Sequence, residues 1–337
     1  MERARPVFLH CGWRTAGTWL WSAYRARPDV TAFYEPLHEC MASLSLTSMA
    51  AMRPSTSDLG HPDDGRSYFQ EYAELLSPRP HGARGFRPAF AYDEFFARDA
   101  GRTGTGAWLR VLVERAGARR SAPVLKFCRS LGRVGALRRA FPGAAHVVVL
   151  REPWGQWTSA WRVYERTGNA YFLGMPLHVL HRHRHDPLVA AACAALRIPP
   201  ARLAAAARPD VAAAGALTLP PRLQFRAATA FWVLCAFAAI PHADLVVESE
   251  RLGRSRTYRA AIENALSDLT GLPVALNDAR EIEANDEAMR FAFDADGCFR
   301  DAAAACDALA ALRPDGEAVR RLLGEKLQGP VLSTLAG

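Results

Sequence analysis

The sequence predicts an α/β fold, a parallel sheet flanked by helices. Short apolar runs of strand length alternate with helix-length segments along most of the chain. The first of these runs feeds a turn of small residues that opens directly into a helix, which is how a βα unit begins. Half of the 337 residues are hydrophobic, enough for a large core, and neither a linker nor an internal repeat interrupts the chain. Parallel strands joined through helices imply right-handed crossovers.

The elements follow in order. A strand is expected at 7–11, Val7-Phe-Leu-His-Cys11. It runs through Gly12-Trp-Arg-Thr-Ala-Gly17 into an aromatic-rich helix at 17–27. Such a turn presents unpaired backbone N–H groups at a helix N-terminus, a place for phosphate or sulfate. Arg14 adds a forked cationic donor, Thr15 and Thr18 add hydroxyls, and Gly17 permits close backbone approach. The turn is not a Walker A sequence.

A second strand, 31–34, ends at Glu35, where Pro36 stops it. One βα unit beyond Arg14, Glu35 returns to the carboxyl edge that carries the first turn. Helices are expected within 66–117. The strand at 123–127 has its apolar pattern broken by Lys126, a residue seldom buried without a partner. Arg129 follows as a further candidate, for a basic pocket wall. Next come a helix at 133–140 and a strand at 145–150 that ends on Arg151. Pro153 opens the helix at 155–166, with Ser159 in its first turns. Helical pieces at 186–206, a core helix at 222–240, a strand at 244–249 and helices to about 328 complete the chain. The uncharged run from Ala227 to Pro241 falls short of the roughly 20 residues that span a bilayer, so no membrane span is expected.

Charge and cysteine content narrow the function. A net charge of +8 and a pI near 9.4 suit a polyanionic ligand. No nucleic-acid motif accompanies them. Seven dispersed cysteines, an odd number, argue for reduced thiols. Without a signal peptide ahead of the first strand, a cytoplasmic location is expected, and the Arg- and Ala-rich composition fits a GC-rich bacterial genome. His181, His183 and His185 alternate with arginines but find no second ligand cluster, so no metal is expected.

Arg14-Thr-Ala-Gly-Thr18, with Trp19 after it, resembles the 5'-phosphosulfate loop of the sulfotransferases that use 3'-phosphoadenosine 5'-phosphosulfate (PAPS). Arg151-Glu-Pro followed by Ser159 resembles the same family's 3'-phosphate element, in sequence and in spacing. Phe141-Pro-Gly before it, and Asp244 to Leu252 with Leu269-Thr-Gly-Leu-Pro273 after it, are similar to the family's usual surroundings. The likeness covers roughly residues 5–40 and 122–275. Three departures are plain. Ala16 and Gly17 exchange the usual order of small residues, Glu152 replaces Asp or Asn, and no Gly-rich, Lys-containing segment follows residue 275. The last points to the bacterial, carbohydrate and tyrosyl-protein branches.

The resemblance implies a P-loop-type sheet in one domain over 1–330. Insertions at 42–120 and 168–220 would form the acceptor site and a lid. It implies an O-sulfotransferase with PAPS as donor and a hydroxyl on a sugar, lipid, peptide or small molecule as acceptor. Arg14, Thr15, Ala16, Gly17, Thr18 and Trp19 would hold the phosphosulfate and adenine, and Arg151 and Ser159 the 3'-phosphate. Glu35 would be the general base, with His38 and Glu39 as rivals in the same turn, and Lys126 would face the sulfuryl group. Two other readings stay open: a small-molecule kinase of similar fold, and a nucleotide-binding homologue without turnover.

Overall fold

The computed structural model describes residues 5–54, 56–203, 206, 208–279, 295–313 and 316–327. The chain divides into two compact units. One comprises Met1–Leu150 and His242–Ile282, the other Arg151–Pro241 and Glu283–Gly337.

The first unit is α/β. Its strands are β1 (Val7–Cys11), β2 (Val30–Tyr34), a short antiparallel hairpin of β3 (Leu76–Pro78) and β4 (His81–Ala83), β5 (Ala122–Phe127), β6 (Ala145–Leu150) and β7 (Leu245–Glu248). Five of them form one parallel sheet in the order β2-β5-β1-β6-β7. Every residue of β1, β5 and β6 is buried, because helices flank the sheet; hence their unbroken apolar sequences. The chain leaves β1 towards one edge and crosses to the other side of β1 between β5 and β6. Crevices at the carboxyl ends of strands open where the direction of winding changes in this way. The expected sheet strands lie within a residue of their predicted ends, whereas the β3–β4 hairpin within 66–117 was not anticipated.

A neutral polar chain crosses the interior of the sheet. His146 Nε2 lies 3.3 Å from the Phe141 carbonyl, which can only accept, so this nitrogen carries a proton. His146 Nδ1 then accepts from His10 Nε2 at 3.0 Å, and His10 Nδ1 accepts from the Ser130 hydroxyl at 2.7 Å. Burial, followed by the charge of its partner, keeps His10 well below an ordinary histidine, and burial brings His146 to about 4. Both rings are therefore uncharged at neutral pH.

The second unit is helical. Its central helix, Pro221–Ala239, buries Phe225, Ala227, Thr229, Ala230 and Val233 completely. Phe225 packs edge-on against Trp154 and Phe299, and Arg226 pairs with Asp301 at 2.6 Å. The helix and the turn after it reach membrane-spanning length, longer than the sequence run suggested, but 78% of the apolar window is buried inside the protein. The expected lid at 168–220 contains four helices among its described residues: Tyr171–Arg182, Pro187–Ala195, Pro200–Leu203 and Pro209–Leu217. Pro176 sits inside the first of them. The end of the expected domain, 328–330, lies outside the described residues.

Candidate active site

The turn after β1 is tightly wound. Arg14 and Ala16 adopt left-handed backbone angles, φ 64° and 60°, which cost a non-glycine residue about 1–2 kcal/mol each. Gly17 then starts the helix Gly17–Arg25. A Cβ there would stand 2.4 Å from Cys11 Sγ and 3.3 Å from Lys126 Cε, so only glycine lets the turn sit down on β1 and β5. Ala16 at the N-cap offers no side-chain acceptor, and the first N–H groups of the helix are left without a side-chain cap. Thr15 spends its hydroxyl on the Gly12 carbonyl at 2.9 Å, and Thr18 shares one with the Tyr34 hydroxyl at 3.3 Å. Both guanidinium NH2 groups of Arg14 donate to the Leu59 carbonyl, at 3.2 and 3.3 Å. Trp19 is half-buried, and its indole N–H donates to Asp278.

Behind the turn lies a buried charge cluster. Lys126, in the last turn of register before β5 ends, is level with Leu9 of β1 and Tyr34 of β2. Glu35 follows β2 with φ 46°, and its N–H donates to the Lys126 carbonyl at 2.8 Å. That strained bend turns the carboxylate inward, where it is 3% exposed. Oε1 accepts from Lys126 Nζ at 2.6 Å. Oε2 accepts from the Cys128 N–H at 2.9 Å and from Arg129 at 3.1 Å. The other arm of Arg129 reaches Glu39 at 2.6 Å. Burial alone would raise the Glu35 carboxyl, but Lys126 and Arg129 outweigh it and hold it down to about 2. Burial likewise opposes the Lys126 ammonium; the Cys128 sulfur and the Glu35 carboxylate reverse this, leaving its pKa well above ordinary.

The segment between β2 and β5 closes around the cluster. Tyr34 lies under Lys126 Nζ, 4.6 Å from the ring centre, and Tyr68 stacks on it at 4.5 Å. His61 Nδ1 hydrogen-bonds the Tyr68 hydroxyl. His38 uses Nδ1 to cap the following turn at Cys40 N–H, and burial and then Arg129 hold it at about 4. As a rival base, its ring is thus already engaged on one side.

In the second unit the turn after Arg151 is built differently. The carboxylate of Glu152 caps the helix Pro153–Thr167 by accepting from the Gly155 N–H at 2.7 Å. A Cβ on Gly155 would fall 2.1 Å from Glu152 Oε1 and 3.1 Å from Arg151 NH2, so both side chains fold over this glycine. The Arg151 carbonyl accepts from the Trp232 indole at 2.8 Å. Ser159 is one helical turn beyond Gly155 on the same face and is half-buried.

Within the first unit, the structure brings Glu35 and Lys126 together beside the turn Arg14–Thr18. It adds His61, Tyr68 and Cys128, none of them signalled by a local motif, and shows Arg129, a candidate already in the sequence, bonded to both Glu35 and Glu39. A half-buried Tyr-Tyr-His contact across 34, 68 and 61 has no sequence period that would reveal it. Among the described residues, no cluster of His, Cys, Asp and Glu could hold a metal ion. No family model, curated protein or solved structure matches the chain.

Proposed function

We propose that the chain is a sulfotransferase of P-loop type that moves the sulfuryl group of PAPS to a hydroxyl acceptor. The observation that carries this reading is the buried Glu35–Lys126–Arg129 cluster beside an uncapped, strained turn with Arg14 on it. Sulfuryl transfer resembles phosphoryl transfer, with a loose, in-line transition state, so the protein mainly positions groups and places charge. The turn's N–H groups and Arg14 stabilise the 5'-phosphate as the S–O bond to it breaks. Lys126 neutralises the sulfuryl oxygens. The acceptor oxygen forms the new S–O bond, and its proton passes to Glu35.

A carboxylate at about 2 is a weak base at neutral pH. Glu35 gains basicity only when Lys126 leaves it for the sulfuryl group, so donor binds first and arms the base. In the second unit, Arg151 and Ser159 take the 3'-phosphate. The tight clamp on Glu35 also supports a second reading, nucleotide binding without turnover. One experiment bears on all three readings. Adenosine 3',5'-bisphosphate should raise the melting temperature, by linkage worth about 2.7 kcal/mol at a hundredfold excess over Kd, while AMP and ATP give far less. Equal stabilisation by ATP would favour the kinase. Stabilisation by the bisphosphate, with no sulfuryl transfer to any hydroxyl acceptor tested, would favour the inactive homologue.

A further inference from the structure

We propose that His61, contributed by the segment between β2 and β5, is a ligand of the anion held at the turn after β1. The inference rests on the donor reading above and assigns that site a residue outside its motifs. Three observations place the ring. Arg14 donates twice to the Leu59 carbonyl, two residues before His61, so the turn after β1 and this segment are tied together. Tyr68 holds His61 Nδ1 and stacks on Tyr34, the ring that lies under Lys126. Nε2 has no protein partner among the described residues. The imidazole is thus fixed through one nitrogen and open at the other, beside the two cations that would meet the sulfuryl group.

The charges around it make the ring responsive. Burial, then Lys126 and Arg14, hold His61 at about 3, against a smaller opposing pull from Glu35. It is neutral in the free protein. A phosphosulfate neutralises Lys126 and Arg14, and the repulsion that keeps a proton off the ring falls away. The protonated fraction of the imidazole then rises, the proton coming from the buffer. Nδ1–H donates to the Tyr68 oxygen and Nε2–H donates to an oxygen of the anion. Binding is therefore coupled to proton uptake.

Calorimetric titration of adenosine 3',5'-bisphosphate near pH 6, in two buffers of different ionisation heat, reads that uptake. The wild type should take up a fraction of a proton. His61→Gln should take up none and bind on the order of tenfold more weakly, about the worth of one charge-assisted hydrogen bond. Unchanged uptake and affinity in His61→Gln would overturn the assignment. A second probe, inorganic pyrophosphate with the imidazole resonances followed by NMR, works on the wild type alone and so does not depend on the variant folding. Pyrophosphate that shifts His61 while the bisphosphate fails to bind would retain His61 and remove the PAPS reading. Pyrophosphate that binds without moving His61 would remove His61 alone, and failure of both anions to bind would remove both.

Discussion

The two turns that resemble phosphate-binding elements are opposites in construction. The turn after β1 spends backbone strain at Arg14 and Ala16 and leaves its helix end without a side-chain cap. The turn at Arg151 has no such strain, and Glu152 already fills its helix end with a carboxylate. An anion approaching the first turn meets free N–H groups. One approaching the second must rely on side chains, because the helix N–H groups face a negative charge. The first turn therefore offers an anion backbone donors, and the second offers it side chains. The Glu152 side chain itself reaches this helix end, accepting from the Gly155 N–H.

The contrast can be broken most severely at Lys126. Lys126→Met leaves the Glu35 carboxylate buried with Arg129 and the Cys128 N–H but without its ammonium partner, and should cost about 3–5 kcal/mol in urea unfolding. Lys126→Met with Glu35→Gln should recover much of the loss; an unaltered midpoint in the single variant would mean that the pair contributes nothing.

Acid should loosen the first turn's unit selectively. Glu35 is held at about 2, against 4.5 ordinarily, so its contribution is complete above pH 4.5 and is lost as pH falls towards 2. Its size is about 3 kcal/mol. The lowered imidazoles act earlier, contributing fully above pH 6.5 and fading towards about 4 for His38 and His146 and about 3 for His61. Hydrogen exchange at pH 4 should therefore rise in β1 and β5 more than in the helix Pro153–Thr167. Equal acceleration in both would contradict the assignment.

Smaller changes sharpen the comparison. Gly17→Ala forces a methyl against Cys11 and should destabilise by about 1–3 kcal/mol while abolishing anion binding. Glu152→Ala removes a cap, costs about 1 kcal/mol and should strengthen anion binding at the second turn, which calorimetry with sulfate would read. Ala16→Gly relieves a left-handed angle at some cost in chain entropy, for a net gain of about 1 kcal/mol or less in thermal unfolding. A loss there would show that the Ala16 methyl is packed rather than strained.

How much of this was legible depends on locality. The sheet strands could be read because burial on both faces writes a continuous apolar run into five or six residues. Glu35 could be found because Pro36 marks the end of β2, and Lys126 because a cation breaks an apolar run. The helix Tyr171–Arg182 was hidden by its internal Pro176, and the β3–β4 hairpin by its brevity. His61 and Arg129 owe their places to contacts between distant segments. No periodicity or turn chemistry encodes these.

Cys128 donates its thiol proton towards the Gly12 carbonyl at 3.5 Å and takes a hydrogen bond from Lys126 at 3.1 Å. A sulfur beside an ammonium would ordinarily be the first atom in the chain to react. Burial and the Glu35 carboxylate instead push it up to about 12, so at neutral pH it stays a thiol. Cys40, also near 12, and Cys11, raised by burial, share this inertness. Alkylating reagents and peroxide should pass the buried Cys11 and Cys128 by in the folded chain and modify them only after unfolding, which makes their labelling a direct clock for the opening of the site.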